Sequence, residues 1–488
     1  MLFNSAEFIL AFLPLTFIVY FWLNHRRLVV AGKSWLVLAS LFFYGWWNIA
    51  YLPLILVSLL VNFAIGSGLA RGEGAVRLTG LGRKPLLWAG IGFNLALLGY
   101  YKYADFFLGN LATLGGFEVE LQGVVLPLAI SFFTFTQIAY LVDSYRGETR
   151  EYDLLNYALF VTFFPHLIAG PIVHHREIMP QFAAVANLVR RYRNIVLGLF
   201  LFSIGLAKKV LIADNLAVWA SAGFDQATEL NFFEAWFTSL AYTFQLYFDF
   251  SGYTDMALGA SLLFNIRLPI NFDSPYRATS IRDFWRRWHI SLSRFLRDYL
   301  YIPLGGGRRS PPRVYLNLGV TFLLGGLWHG ATWMFVLWGA MHGLAMAVHR
   351  AWRDVGLRMP GWLGWLLTFN FVNAAWVVFR AQDLDAALKV YRGMLGLNGI
   401  VLPERLASGQ VDFSQWLGRL PGDVFVPLAF VAAMILAGWP RNSTGVWMRA
   451  DAWNRATPGW AALYGAMACI ALLSLFASRY SEFIYFNF

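Results

Sequence analysis

Apolar stretches of membrane-spanning length recur from one end of this chain to the other, separated by short clusters of arginine and lysine. They are Phe8–Trp22, Leu36–Gly66, Leu86–Tyr101, Val124–Val142, Tyr152–Val173, Ile195–Ala213, Phe232–Phe248, Leu316–Val348, Trp362–Phe379, Val424–Trp439 and Ala461–Ala477. The stretches 36–66 and 316–348 are each long enough for two crossings. A spanning helix needs about 17–25 residues. Several stretches are shorter, so the pattern predicts about ten to twelve membrane-embedded helices, some of them re-entrant. Of 488 residues, 58% are hydrophobic and 13% charged, against about 25% charged in soluble domains. The expected fold class is an all-α polytopic membrane protein, with residues 1–488 forming a single domain.

The first stretch lacks a preceding basic region and a following cleavage site, so it reads as a retained span rather than a secretion signal. The sole cysteine, Cys469, permits no intrachain disulfide. The loops His25–Lys33 and Arg71–Lys84 are basic, which places them in the cytoplasm and the N-terminus on the other side. The net charge of +11 then reads as attraction to anionic lipid headgroups, not nucleic acid. Neither zinc-finger spacing, P-loop nor dinucleotide fingerprint is present.

Charge is densest between Arg277 and Arg313, where nine arginines face Asp283 and Asp298. Within it, Ile281–Leu300 has helical periodicity. Trp285, Trp288, His289, Leu292, Phe295, Leu296 and Tyr299 share one face, with Arg287, Arg294 and Asp298 opposite. This predicts an amphipathic helix at the cytoplasmic interface, inside an amphipathic or re-entrant region of about residues 270–313. A lipid-surface anchor is one reading. Against it stand the turn-rich linker Pro269–Tyr276 and His289, an imidazole beside two tryptophans that needs hydrogen-bond partners.

Polar groups inside the apolar stretches carry most information. Asp249 and Asp255 are either paired with arginines of the following segment or line a substrate path, and Gly252 and Gly259 permit close helix approach or a break. His329 lies among Gly325, Gly326 and Gly330 and is bracketed by Trp328 and Trp333. Imidazole can take a proton from an alcohol and return it near neutral pH, and amides at a glycine break can face developing negative charge. Packing between tryptophans is the competing reading. Metal or haem ligation is the weakest, because His342 and His349 follow at spacings that suit no ligand set. His166 lies in a Pro/Gly-interrupted run that suggests a pocket wall, with its role open.

Several strings together resemble the membrane-bound O-acyltransferase family, in its bacterial alginate O-acetylation branch. They are Ser40–Trp47, Phe163–Ile172, Gly205–Leu216, Tyr247–Asp255, Asn271–Tyr276, Asp283–Leu292, Asp298–Gly306, Gly325–Gly330, Trp338–Gly343 and Phe483–Phe488. The resemblance implies helices wrapped around a central funnel or tunnel, with His329 catalytic and His289 a second candidate on the acyl-donor side. It implies an acetyl group taken from cytoplasmic acetyl-CoA, no tightly bound cofactor and no metal. Arg286 and Arg287 are the expected contacts of the CoA phosphates, unless they serve lipids alone, and Trp328, Asp249 and Asn271 complete the expected binding set. His329 is expected to line an aqueous passage as general base. Further expectations are a multi-pass protein of the bacterial inner membrane, a periplasmic or membrane-anchored partner with a hydrolase-like domain, and a polysaccharide synthesis and export complex. The expected acceptor is alginate, with cellulose, peptidoglycan or another exopolysaccharide as alternatives and a non-enzymatic transporter or scaffold behind them.

Overall fold

The computed structural model describes residues 1–70, 82–119, 121, 123–149, 151, 153–400, 433–438, 442–448, 457–477 and 484. Most of the basic loop 71–84, of the predicted stretch 424–439 and of the terminal string 483–488 thus lies outside the described residues.

Every regular element among the described residues is helical, the secondary structure that satisfies its own backbone groups in hydrocarbon. Among the described residues, five helices are long and apolar enough to cross a membrane: Glu7–His25, Ile49–Ala70, Tyr192–Gln226, Gly361–Arg380 and Pro458–Leu475. The predicted ten to twelve is approached only by adding helices that are shorter or more polar, such as Val29–Gly45, Ile130–Arg146, Phe232–Leu263, Pro311–His329 and Trp333–Asp354. Leu10, Ile18, Leu38, Val57 and Leu60 are exposed, as lipid-facing side chains must be.

The described chain divides into two compact units, each discontinuous in sequence. One comprises residues 1–203, 254–270 and 450–462; the other comprises 204–253, 271–449 and 463–488. In the first, polar side chains cross between apolar helices. Asn62 and Asn94 exchange amide hydrogen bonds at 2.6 and 3.2 Å. Gln137 donates to Ser58 Oγ at 2.9 Å and accepts from the Tyr157 hydroxyl at 3.2 Å. Such bonds hold helices together where lipid removes the hydrophobic drive between them.

The second unit is built around a helical hairpin, Pro311–His329 and Trp333–Asp354. Its helices touch at glycines: a Cβ on Gly326 would run into the Phe335 carbonyl, and one on Gly339 into the Phe322 carbonyl. The predicted break at the glycines is thus displaced. Gly325 and Gly326 lie within the first helix, which ends at His329, and the chain turns at Gly330–Thr332. Close approach, not helix breaking, explains these glycines. Gly326→Ala should therefore push the hairpin apart and lower the thermal midpoint of the detergent-purified protein by several degrees, a stability loss of about 1–3 kcal/mol. An unchanged midpoint would show that the hairpin yields without strain.

The segment 281–300 also departs from expectation. Instead of one amphipathic helix there are two short ones, Ile281–Arg287 and Ile290–Leu296, followed by a π turn at Arg297–Tyr301. His289 breaks them with φ +42°, a left-handed conformation costly for a side chain with a Cβ. Trp285, Trp288, His289, Leu292, Phe295 and Leu296 are all buried, so the predicted apolar face packs into protein instead of lying on lipid.

Candidate active site

The kink at His289 is held by a residue far from it in the chain. Asn271 accepts from the Ser291 backbone N–H at 3.2 Å and from its hydroxyl at 2.7 Å. The Asn271 carbonyl accepts from Ile290 N–H at 3.0 Å, and Asp273 N–H donates to the Arg287 carbonyl. These bonds fix the left-handed turn and place the His289 ring, fully buried, 4.8 Å from Phe250 and 6.0 Å from Trp328.

Trp328 and His329 close the helix Pro311–His329, whose 19 residues put His329 about 27 Å from its arginine-bearing start. The His329 ring lies 5.0 Å from Trp328, 5.1 Å from Trp338 and 5.2 Å from Phe379. One indole, Trp328, thus joins the two histidines singled out in the sequence.

A third histidine belongs to the same cluster. His342 is fully buried, 4.7 Å from Trp338, and its Nδ1 accepts from Trp285 Nε1–H at 3.2 Å. An indole N–H only donates, so Nδ1 must be unprotonated and the neutral ring carries its proton on Nε2. In the sequence His342 entered only the metal-ligand alternative and the string Trp338–Gly343. Its spacing of four from Trp338, which puts both on one helix face, was the available signal.

Beside this cluster opens a cavity of about 610 Å³, lined by Arg282, Arg286, Arg294, Arg297, Arg350 and Arg353, with His349 and no carboxylate. Trp285 and Phe322 also line it, and Trp285 touches both His342 and Trp338. Arg286 lines the cavity. Arg287 does not: it pairs with Asp283 at 3.0 Å and Asp273 at 3.6 Å.

His329 is buried at 3% exposure and is not among the residues lining this cavity. The expected open passage to it is therefore not what the cavity provides. Trp285 and Phe322 stand in between, about 10 Å short of His329 along the helix that carries Phe322.

Asp249 takes a partner other than the predicted arginines. It pairs with Lys209 at 2.7 Å, and Lys209 also reaches Asp214 at 2.7 Å. Ile484 N–H donates to the other Asp249 oxygen at 2.9 Å. Gly252, one turn on, permits the contact: a Cβ there would meet the Gly205 carbonyl at 2.7 Å. In the first unit, His166 is bonded to the Phe160 carbonyl at 3.0 Å, His174 faces Asp143 at 3.5 Å, and His175 bridges Thr149 and Glu151. His166 is thus a buried ring satisfied by backbone, not the wall of a described pocket.

The family model of the membrane-bound O-acyltransferases matches residues 113–382, which include every histidine and arginine of this cluster and cavity. The chain belongs to the membrane-bound O-acyltransferase family. It is similar over 100% of its length to the peptidoglycan O-acetyltransferase of Helicobacter pylori, at 47% identity with 98% of that protein covered. It is 39% identical, with 100% of both chains covered, to a Pseudomonas putida protein named probable alginate O-acetylase AlgI. A teichoic acid D-alanyltransferase of Streptococcus thermophilus is 28% identical over 53% of this chain and 69% of its own. This membrane-bound O-acyltransferase is accordingly an acyl-transferring enzyme of the bacterial alginate O-acetylase branch, embedded in the membrane by its apolar helices.

Proposed function

We propose that this protein carries acetyl groups from cytoplasmic acetyl-CoA across the bacterial inner membrane to hydroxyls of an extracytoplasmic glycan. The observation that supports the donor is the cavity lined by six arginines, an excess of positive charge even though Arg297 pairs with Asp298 and Arg350 and Arg353 share Asp354. Guanidinium pairs bind phosphate through charge-assisted bonds, and its volume suits a ligand site. The CoA phosphates sit among Arg282, Arg286, Arg350 and Arg353, and the acyl arm passes Trp285 toward His329. The positive-inside bias supports a cytoplasmic position for these arginines.

His329 acts as general base on the incoming hydroxyl, and His289, through Trp328, orients the donor side. Asn271 sets the His289 turn. The relatives aligned end to end act, by name, on peptidoglycan and alginate, at 47% and 39% identity. We therefore place peptidoglycan ahead of the alginate expected from the motifs. A partner on the far side, with a hydrolase-like domain, delivers the acetyl group to the glycan.

The donor reading is tested by Arg286→Gln and Arg350→Gln. Each should raise the KM for acetyl-CoA about 10-fold or more, as loss of a charged hydrogen bond does, with kcat little changed. Acetyl-3′-dephospho-CoA should bind more weakly to the wild type. Unchanged KM in both variants would make the cavity a lipid-headgroup site instead.

A further inference from the structure

Three buried N–H donors in the site have no acceptor among the described residues: His342 Nε2, Trp338 Nε1 and Trp376 Nε1. Each of these side chains is at most 1% exposed. Their rings form one cluster, with Trp338 and His342 4.7 Å apart, Trp338 stacked on Trp376 at 5.8 Å, and His342 6.3 Å from Trp376. Trp338 also lies 5.1 Å from His329. Buried donors left without acceptors are costly and call for an explanation, and these three sit on rings packed against one another and, through Trp338, against His329. The bond from Trp285 to His342 Nδ1 keeps the third donor in place by fixing its proton on Nε2.

We infer that His342, Trp338 and Trp376 form the site that receives the thioester carbonyl oxygen and its negative charge during acetyl transfer. This rests on the donor reading above. The acceptor oxygen bonds to the carbonyl carbon while its proton passes to His329. The carbonyl π pair moves to oxygen, and the three N–H groups are the donors assigned to it. On collapse that pair reforms the carbonyl, the carbon–sulfur bond breaks, and the CoA sulfur leaves with the proton from His329. Two indoles and a neutral imidazole suit this role, because they donate without adding a fixed positive charge that would bind the ground state as strongly.

Trp338→Phe and Trp376→Phe keep an aromatic ring and delete one donor each. In the full-length purified protein each should lower kcat about 100- to 1,000-fold, with the KM for acetyl-CoA within about twofold of wild type. A second measurement does not depend on turnover. The probe is a ketone analogue of acetyl-CoA, with CH₂ in place of sulfur and a ¹³C-labelled carbonyl, whose infrared stretch should fall on binding to wild type and recover in Trp338→Phe. Binding of the ketone without a shift in wild type overturns the inference and leaves the donor reading intact. Failure of the ketone to bind at all overturns both. A variant whose KM rises while kcat holds assigns these rings to donor binding and overturns the oxygen site.

Discussion

Replacing His329 with alanine should abolish O-acetylation while leaving the protein in the membrane at near wild-type abundance. A positioned general base contributes about 10²–10⁴-fold to rate, so the residual activity should fall to background. The packing consequence is smaller. The lost ring contacts are with Trp328, Trp338 and Phe379, and truncation at one buried polar ring at a helix end costs about 1–3 kcal/mol. Quantified immunoblotting of membranes, alongside glycan ester content, separates the two effects. Full acetylation in the variant would remove His329 from the chemistry. His329→Gln, which keeps a polar group of similar length but cannot take up the proton, should be as inactive as alanine.

The second large effect falls on stability. Lys209 and Asp249 are 3% and 1% exposed in their side chains and pair at 2.7 Å. Removing one partner of a buried pair leaves a charge uncompensated, at about 3–5 kcal/mol. Lys209→Met should therefore be poorly recovered and should melt far below wild type in detergent. The double variant Lys209→Met, Asp249→Leu should recover much of that loss, because replacing a whole buried pair with apolar groups is often close to neutral. Equal melting of wild type and Lys209→Met would mean that the pair contributes nothing to folding. Asp214, more exposed at 22%, should matter less.

The helical, membrane-embedded architecture was legible from apolar stretch length, because bilayer thickness sets that length directly. That Trp285, Trp288 and Leu292 share an apolar face was legible from periodicity, but that the face packs into protein instead of lying on lipid was not. The kink between them was not, since a helical wheel continues through His289 and the bonds that break it come from Asn271, eighteen residues upstream. Asp249 was recognisable as a buried charge needing a cation. Its partner was not, because Lys209 lies forty residues upstream in a π turn, and the dense arginines downstream drew the assignment. Arg286 and Arg287 are neighbours in sequence, and only three-dimensional packing shows that one faces the cavity and the other is held by aspartates. The role of His342 was not legible, because its hydrogen-bond partner, Trp285, lies on a different helix.

The proposed reaction is one directed transfer, from a cytoplasmic thioester through His329 to a hydroxyl on the far side. Proteoliposomes test it with radiolabelled acetyl-CoA supplied only to the arginine-rich face, and the glycan with its partner transferase only to the other. Wild type should move label onto the sequestered glycan while releasing CoA on the donor side, and His329→Ala should do neither. Label crossing equally well with the alanine variant, or glycan acetylated without consumption of the thioester, would contradict it.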